Sequence, residues 1–314
     1  MKKSILILTT LIICATVSAQ NGLDLKFKPE KNKAYHFRTT SSQVITQTIN
    51  GNSQVVESES LYAISLKVVD VTQSFNVAEV RFDTISSKTN MMGKTTTLSS
   101  ASEGNMASKE TSDIISAVMN RLSKSPVYAK IDFTGKVIEL VNLKMVASMV
   151  LKDTATIVLT GPTKAAVKGQ AANLVGESSV KNIIESITYN MPGKTVNTGE
   201  SWSVTIPTNS GGMSLEITNS YHLDGITGNS VALTGESKIK AAPNALPMEQ
   251  GGAKITYDDL NGLGKSTISV DGSTGIIVLS TSKMRIMGNM GVSMPGMSMQ
   301  IPMDINSNTR TVLK

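Results

Sequence analysis

The stretch from Ser178 to Ile206 constrains the fold most, because it joins a helix to a strand through a sharp stop signal. Ser178 is a suitable N-cap, and Pro192 ends the helix since proline lacks a backbone N–H and restricts the residue before it. We therefore expect one β-rich half of the chain before this helix and a second after it. The apolar residues of the helix have the i, i+3, i+4, i+7 spacing of an amphipathic helix, and they are Val180, Ile183, Ile184 and Ile187.

The strand after this helix contains Trp202, the only tryptophan of the chain. Trp202, Val204 and Ile206 alternate with small polar residues, which is the period of a half-buried strand. This pattern favours Trp202 as a packing anchor of the second sheet, because a large aromatic side chain buries much apolar area. Contact with a ligand is the alternative role that we retain for it.

The first 19 residues have the three parts of a secretory signal peptide. Lys2 and Lys3 form the basic region, residues 5–14 form the apolar core, and small residues lead to a cleavage site at Ala19. The apolar core is too short to span a bilayer as a stable helix. We therefore expect a periplasmic or secreted protein that does not span a membrane.

The only cysteine, Cys14, lies inside the predicted signal peptide. Lipid anchoring through Cys14 is a minor alternative to soluble export, since Ile13 stands where lipidation signals have a small residue. Without a further cysteine the mature chain has no disulfide, so its stability must come from a hydrophobic core. Cleavage removes two of the 30 basic residues and none of the 24 acidic ones. The remaining positive charge is mild and forms no basic run, which argues against a nucleic-acid partner.

Residues 20–140 form the predicted N-terminal β-rich half, which contains one helix. Alternating apolar residues predict three long strands between residues 26 and 87, with turns at residues 50–52 and 72–74. The segment from Met91 to Lys94 and the Ser/Thr stretch after it fit either an edge strand or a loop. A helical pattern follows at residues 114–122, and the segment from Asp132 to Lys136 predicts the turn of a hairpin.

Residues 141–191 form a predicted helical segment. Asn142 is a suitable cap for its first helix. Pro162 stands at a favoured first position of a further helix, and residues 153–160 are ambiguous between helix and strand. The spacing in the first helix predicts one apolar face made of Met145, Val146, Met149 and Val150.

Residues 192–314 form the predicted C-terminal β-rich half, which ends in a Met-rich hairpin around residues 288–295. Asp224-Gly225 and Gly228-Asn229 predict turns between its strands. The segment 268–279 repeats a pattern of segment 131–140, in which a strand leads through an aspartate and a glycine-containing turn into an apolar strand. This echo raises the hypothesis that the two halves are related.

Together these patterns predict an α+β fold that is mainly antiparallel β. We expect curved open sheets, half-barrel-like and built from two halves, with a layer of amphipathic helices packed on them.

Four segments carry a resemblance to a known group of proteins. They are the signal peptide, DFTGKVIEL at residues 132–140, NMPGKTVNTGESWSV at residues 190–204 and VDGSTGII at residues 270–277. Together they resemble an uncharacterised family of exported Bacteroidota envelope proteins that is defined only as a domain of unknown function. The resemblance implies an envelope location and a mainly β fold. More loosely, the expected architecture is similar to the open half-barrels of periplasmic lipoprotein and lipid carriers.

The C-terminal hairpin concentrates methionine, since seven of the 17 lie in segment 284–303. Flexible thioether side chains suit adaptable contacts with a lipid or another apolar ligand, and they equally suit core packing. The MxxM spacing also suits Cu(I), but the segment has no histidine or cysteine, so copper is a less favoured alternative and we expect no metal and no cofactor. The candidate ligand-binding residues, together with Trp202, are Met284, Met287, Met290, Met294 and Met297.

The chain lacks the sequence motifs of hydrolases, including a nucleophile elbow and HExxH. His36 and His222 lie far apart, and only Asp224 is close enough to either in sequence to act as a second zinc ligand. We therefore predict no catalytic residue and no enzymatic activity.

These observations predict an exported, non-enzymatic envelope protein that binds a hydrophobic ligand or lipid. A structural or protein-interaction module of the envelope is the alternative, with another envelope protein as its partner.

Overall fold

The computed structural model describes residues 22–210, 213–243, 245, 247–250, 253–294 and 296–314. The predicted signal peptide at residues 1–19 and the turn residue Pro295 lie outside this part of the chain. The described residues contain fifteen strands and four α-helices. None of the helices in that part is long and apolar enough to cross a membrane.

Seven strands belong to the N-terminal half: β1 (Leu23–Leu25), β2 (Ala34–Ile49), β3 (Asn52–Val71), β4 (Phe75–Met91), β5 (Lys94–Ser99), β6 (Val127–Asp132) and β7 (Val137–Leu140). Two tight turns with positive φ, Asn50–Gly51 and Met92–Gly93, join β2 to β3 and β4 to β5. The Ser/Thr stretch after Met91 is therefore an edge strand and not a loop.

Eight strands belong to the C-terminal half: β8 (Lys194–Val196), β9 (Ser201–Ser210), β10 (Met213–Thr227), β11 (Ser230–Ala241), β12 (Met248–Gln250), β13 (Ala253–Asp271), β14 (Ile277–Met294) and β15 (Met297–Leu313). β14 and β15 form the predicted Met-rich hairpin. Gly288 lies within β14, so the chain reverses only after Met294.

Thirteen strands form one antiparallel sheet, while β1 and β8 pair with each other. The order along the sheet is β7-β6-β4-β3-β2-β15-β14-β13-β11-β10-β9, with β5 beside β4 and β12 beside β13. This order does not return to its start, so the sheet is open. The last strand, β15, lies between β2 and β14 and joins the two halves.

The two halves use the same order of strands, β7-β6-β4-β3-β2 in one and β14-β13-β11-β10-β9 in the other. The turns at equivalent places, between β6 and β7 and between β13 and β14, are also built alike. Asp132 accepts the backbone N–H of Thr134 at 2.8 Å, and Asp271 accepts that of Ser273 at 3.0 Å. The sequence pattern shared by segments 131–140 and 268–279 thus corresponds to two similar hairpins.

Four helices follow β5: α1 (Thr111–Ser123), α2 (Leu143–Val150), α3 (Gly161–Leu174) and α4 (Glu177–Thr188). α1 contacts α2, α3, β4 and β5, while α4 contacts α3, β7 and β9. The segment that was ambiguous in the sequence contains only a short 3₁₀ turn at Thr154–Thr156. Pro162 falls in the first turn of α3, as its position predicts.

The main hydrophobic core draws on both halves of the sheet and on the helices, so the two halves share one core. Its members include Phe37, Leu66, Phe82, Ile114, Leu122, Ile184, Leu223, Val231 and Val270. A second, smaller apolar cluster lies further along the C-terminal strands, and its buried members are Met213, Leu215, Ile239, Leu260, Ile286, Met303 and Ile305.

The segment at residues 25–28 ties the two Asp-containing turns together. The backbone N–H of Phe27 donates to the Phe133 carbonyl at 2.8 Å, and that of Lys28 donates to the Thr274 carbonyl at 2.7 Å. The Phe27 carbonyl accepts from the Asn76 side chain at 3.1 Å, and the Phe27 ring is fully buried. One short segment therefore bonds to a turn from each half of the chain.

Both turns depend on a glycine in the left-handed region. Gly135 has a φ of +89°, and a side chain there would collide with the backbone of Thr188 at the end of α4. Gly275 has a φ of +69°, and a side chain there would collide with the carbonyl of Lys26. Only glycine satisfies both the dihedral angle and the close approach.

Two predicted element boundaries are wrong. α4 begins at Glu177 with Gly176 as its N-cap, so Ser178 lies inside the helix; the Val180 N–H already bonds to the Gly176 carbonyl at 3.0 Å. Asp224-Gly225 does not form a turn, because β10 continues through these residues with a β-bulge between Leu223 and Gly225. The chain reverses instead at the Gly228 turn, which was also predicted.

The predicted apolar face of α2 is also wrong. The buried residues are Leu143, Val146 and Val150, whereas Met145 and Met149 are 57% and 46% exposed. Asn142 precedes the helix as expected, but its side chain does not cap it. Its amide instead bonds to two backbone groups near β6, so this residue fixes the connection between β6 and α2.

Replacement of Phe27 by alanine should lower the free energy of unfolding by about 3–5 kcal/mol, because it leaves a cavity in the main core beside the segment that bonds to both turns. Urea denaturation followed by circular dichroism measures this change. Val55→Ala on an exposed strand position is the control, with an expected change within about 0.5 kcal/mol. A similar small change for Phe27→Ala would contradict the role of this segment.

Glu185 in α4 is buried and accepts the backbone N–H of Val137 at 2.9 Å. Burial raises the pKa of this carboxyl above its ordinary value. Stability should therefore fall as the pH rises from the unfolded-state pKa through the higher folded-state pKa, since the folded carboxyl holds a proton that the unfolded chain has released.

The substitution Glu185→Gln keeps the acceptor oxygen and removes the titration, so it should flatten this part of the stability profile and raise stability at neutral pH. Urea denaturation across the acidic to neutral range tests this. Glu177→Gln, at an exposed position of the same helix that pairs with Lys181 at 2.8 Å, is the control and should not produce the flattening. An unchanged profile for Glu185→Gln would refute the argument.

Candidate functional site

A cavity of about 1170 Å³ lies against the large sheet. Ten strands line it: β2, β3, β4, β5, β9, β10, β11, β13, β14 and β15. Eight of these strands each contribute three consecutive residues to the lining. The middle residue of each set of three is called a central residue below, and the central residues are Ser41, Ser60, Ser87, Tyr221, Gly235, Ser266, Ser282 and Thr309.

The central residues face the same way as the core. Because side chains alternate along a strand, Ser41 shares a face with buried Phe37, and Gly235 shares a face with buried Leu233. The cavity therefore lies on the core side of the sheet.

The cavity exists because the side chains of the central residues are small. All central residues except Tyr221 are serine, threonine or glycine. On the same face of β2, buried Phe37 lies on one side of Ser41 and half-buried Ile45 on the other. Small residues at the central positions thus leave open a space that large core side chains fill further along the same strands in both directions.

The inward-facing positions of the cavity wall carry no charged side chain. The hydroxyl groups of Ser41 and Thr309, which both line the cavity, are 3.1 Å apart across β2 and β15. Charged residues of the lining, such as Lys265, flank a central residue in sequence and are exposed on the other face. The inward side of the wall therefore presents methyl and methylene groups together with hydroxyl groups.

Tyr221 and Trp202 form one corner of this site. The Tyr221 hydroxyl donates to the Asn190 side chain at 2.5 Å, and the Trp202 indole N–H donates to the Asn190 carbonyl at 3.0 Å. Their ring centroids are 5.8 Å apart, and burial raises the pKa of the Tyr221 hydroxyl. Ser201 and Tyr221 line the cavity beside Trp202. Trp202 is thus held as a packing residue next to the cavity, and its contact with a ligand stays a prediction.

The two outermost strands that line the cavity, β5 and β9, each have a free edge among the described residues. Within the described residues, β5 pairs only with β4 and β9 pairs only with β10. Both contribute to the lining, through Thr97 and Ser201. α1 contacts β5 and α4 contacts β9, and the Ser99 N–H donates to the Ser116 hydroxyl at 3.1 Å. The β5 and β9 edges therefore flank the cavity, and helices pack against both strands.

A second cavity of about 560 Å³ adjoins the first and shares lining residues such as Lys265 and Lys283 with it. Its own central residues include Ser237, Gly264 and Met284. These positions lie between the first cavity and the second apolar cluster on the same strands. The open space thus extends along the C-terminal strands towards that cluster.

The structure does not bring the five candidate methionines together. Met284 and Met290 pack against the second apolar cluster, and Met284 lines the smaller cavity. Met287 is 44% exposed on the other face of β14. Met294 and Met297 face each other at the end of the hairpin and are 36% and 46% exposed. Of these five methionines only Met284 lines either cavity, and ligand binding by any of the five stays a prediction.

The histidines lie in small polar clusters on the exposed face. His36 Nδ1 is 2.8 Å from the Ser65 hydroxyl, and Ser65 in turn donates to Asp83. The serine therefore lies between the histidine and the carboxylate, whereas in a nucleophilic triad the histidine lies between the other two. His222 is 3.0 Å from the Ser201 hydroxyl. Among the described residues, no three His, Cys, Asp or Glu side chains cluster as a metal site would require.

Sequence reasoning missed the small central residues. The available signal was a serine, threonine or glycine at an inward position of a strand that carries large apolar residues further along the same face, such as Ser41 between Phe37 and Ile45. One such position means little by itself. The pattern becomes a site only when the strand register brings seven such residues side by side across the sheet.

Mild oxidation with hydrogen peroxide tests the placement of the methionines, because sulfoxide forms fastest at exposed thioethers. We expect Met287, Met294 and Met297 to oxidise before Met213 and Met303, which are buried. Peptide mass spectrometry over time measures the order. Equal oxidation rates for the two groups would contradict the assignment of strand faces.

Comparison with solved structures gives only distant similarity. A lipovitellin structure from a study of lipid–protein interactions matches 91% of this chain with 10% identity and a TM-score of 0.44, and this chain spans only 25% of the length of that one. An outer membrane channel from Pseudomonas putida F1 matches 92% of this chain and 98% of its own length with 8% identity and a TM-score of 0.26. At these scores neither similarity supports an argument about the ligand. No curated protein sequence matches the chain.

The profile of one protein family matches residues 73–277, which is more than half of the 314 residues. The matched region extends from the start of β4 to the start of β14 and includes all four helices. The chain therefore belongs to DUF6263, a family of unknown function.

Proposed function

We propose that this protein is an exported, non-enzymatic envelope protein that binds a hydrophobic ligand or lipid in the cavity on the core side of its sheet. The observation that carries the proposal is the cavity itself, with its volume of about 1170 Å³ and a wall whose inward-facing positions carry no charged side chain. Pockets for drug-sized molecules usually have about 300–1,000 Å³, so the space suits a larger ligand such as a lipid.

The chemistry of the wall supports an apolar ligand. The hydroxyl groups of Ser41 and Thr309, which both line the cavity, are 3.1 Å apart, so this pair forms a hydrogen bond without the ligand. The inward positions carry no charge that would require an ionic partner. A ligand with acyl chains would bury apolar area against the methyl and methylene groups, and this burial would favour binding.

The proposed architecture is half-barrel-like, with the sheet curved around the cavity and the helices as an amphipathic layer at one end. Its support is that residues from ten strands, from β5 at one edge to β9 at the other, line a single cavity. A flat sheet with strands about 4.8 Å apart would place such edges about 43 Å from each other. In this arrangement a ligand enters between the free edges of β5 and β9.

Export rests on the predicted signal peptide at residues 1–19, which would place the mature chain in the periplasm or outside the cell. The absence of enzymatic activity rests on the chemistry of the described residues. The His36, Ser65 and Asp83 cluster has the wrong order for a nucleophilic triad, and the cavity wall has no ionisable group at its central positions other than the tethered Tyr221.

The substitutions Ser266→Phe and Ser282→Phe test the proposal. These residues are cross-strand partners on β13 and β14, and both are central in the cavity lining. Two phenylalanines should fill the space and weaken binding of a fluorescent polyene fatty acid by about tenfold or more. Fluorescence titration of the protein, after extraction of bound lipid, measures this change.

Thr205→Phe together with Thr218→Phe is the matched control. These two residues are cross-strand partners on β9 and β10, their hydroxyl groups form an exposed pair on the other face of the sheet, and neither lines a cavity. We expect unchanged fatty-acid binding and a similar melting temperature in the control. Equal binding by both double variants, or no fatty-acid binding by the unaltered protein, would refute the proposal.

A further inference from the structure

Helix α2 is apolar on two opposite faces. Leu143, Val146 and Val150 are buried and hold it against α1 and β6. On the outward side, Met145 and Met149 are exposed and lie one helical turn apart. Val141, two residues before the helix begins, is exposed as well. Met145 and Met149 form an apolar stripe along one side of the helix surface.

Such a stripe differs from the isolated apolar residues that any protein surface carries. Consecutive i, i+4 positions place the side chains in contact, so their apolar areas combine. Methionine is also long and flexible, which lets it adapt to a partner without fixed shape. Within the described part of the chain no other element covers this face, as the exposure of both methionines shows.

Lysines outnumber acidic residues around the stripe. Segment 136–177 contains three acidic residues, and each is already paired: Glu139 with Lys130 at 2.6 Å, Asp153 with Arg121 at 2.5 Å and Glu177 with Lys181 at 2.8 Å. The lysines of the same segment have no ion-pair partner among the described residues, and they are Lys136, Lys144, Lys152, Lys164 and Lys168.

The lysines and the stripe lie on one layer of the molecule. Lys144 is on the outward side of α2, next to Met145, and Lys152 follows the end of the helix. Lys164 and Lys168 belong to α3, which packs on α1 as α2 does. The surface therefore combines a strip of flexible apolar side chains with a cluster of cations.

We propose that the outward face of α2, with its flanking lysines, docks the protein onto an anionic lipid membrane surface. Helices that lie in the interface of a bilayer combine these two features, an apolar face that enters the acyl boundary and lysines that bind anionic headgroups. A second copy of the chain is disfavoured as the occupant, since two such surfaces would bring like charges together. Membrane docking is separate from ligand binding in the cavity and does not require it.

Vesicle co-sedimentation tests this inference with the purified mature chain. The vesicles contain either phosphatidylethanolamine with phosphatidylglycerol, which is anionic, or phosphatidylcholine alone, which is neutral overall. We expect binding to the anionic vesicles at least about fivefold stronger than to the neutral ones, and we expect added salt to weaken it because salt screens the lysines. No binding to anionic vesicles, or equal binding to both kinds, would overturn the inference. Capture of an acidic protein without vesicle binding would overturn it as well.

Two double variants separate the apolar and the electrostatic parts. Met145→Gln with Met149→Gln removes the apolar stripe, and Lys144→Glu with Lys152→Glu reverses the charge beside it. Each should reduce binding to anionic vesicles by about fivefold or more, because both contributions act together. Fatty-acid binding in the cavity should stay unchanged in both, so a failure of docking and a failure of ligand binding can be distinguished.

Matched controls come from the outer face of the sheet. Met287→Gln with Leu263→Gln replaces two exposed apolar residues, and Lys265→Glu with Lys283→Glu replaces two exposed lysines. Both controls should bind anionic vesicles as the unaltered protein does. A loss in the controls equal to that in the α2 variants would show that docking does not depend on α2 and would overturn the inference.

Discussion

The short backbone segment at residues 25–28 is the constraint on which the rest of the structure depends. Its amides bond to the Asp132 turn of one half and the Asp271 turn of the other, and its Phe27 ring is fully buried in the core. Buried backbone groups must be paired, so this segment sets the distance between the two turns. The same turns start the hairpins of the two halves, and the Asp132 turn also packs against the end of α4 through Gly135. The placement of the helices and of both halves of the sheet therefore depends on one extended segment.

The cavity and the stability of the sheet make opposite demands on the same strands. A core of ordinary density would have large side chains at the positions of Ser41 and Gly235, as it has at Phe37 and Leu233 on the same faces of the same strands. The open space is tolerable because an apolar cluster lies on each side of it along the strands. Backbone ladders and hydroxyl pairs such as Ser41–Thr309 hold the wall between these clusters. The fold thus separates the residues that stabilise it from those that leave room for a ligand.

Local features were predictable because they depend on local physics. The Asn50-Gly51 turn, the Asp turns, the mainly antiparallel strands and the period of the helices all follow from residues close in sequence. Features that depend on packing were not predictable from residues close in sequence. The face of α2 that is buried depends on where α1 and β6 lie, so the exposure of Met145 had no local signal. The candidate site was the least predictable part, since Ser41 and Thr309 become neighbours only through a register between strands 268 residues apart in sequence.

The position of β15 has a consequence for how the chain reaches its final form. Synthesis delivers residues 297–313 after the other fourteen described strands, yet they belong in the middle of the sheet, between the strands β2 and β14. Until they arrive, β2 and β14 each expose a long row of unpaired amides and carbonyls, and such edges readily recruit other chains. Pairing between β15 and β2 across so great a sequence separation is also slow. The nascent protein therefore has a vulnerable interval that lasts until β15 has paired with both strands.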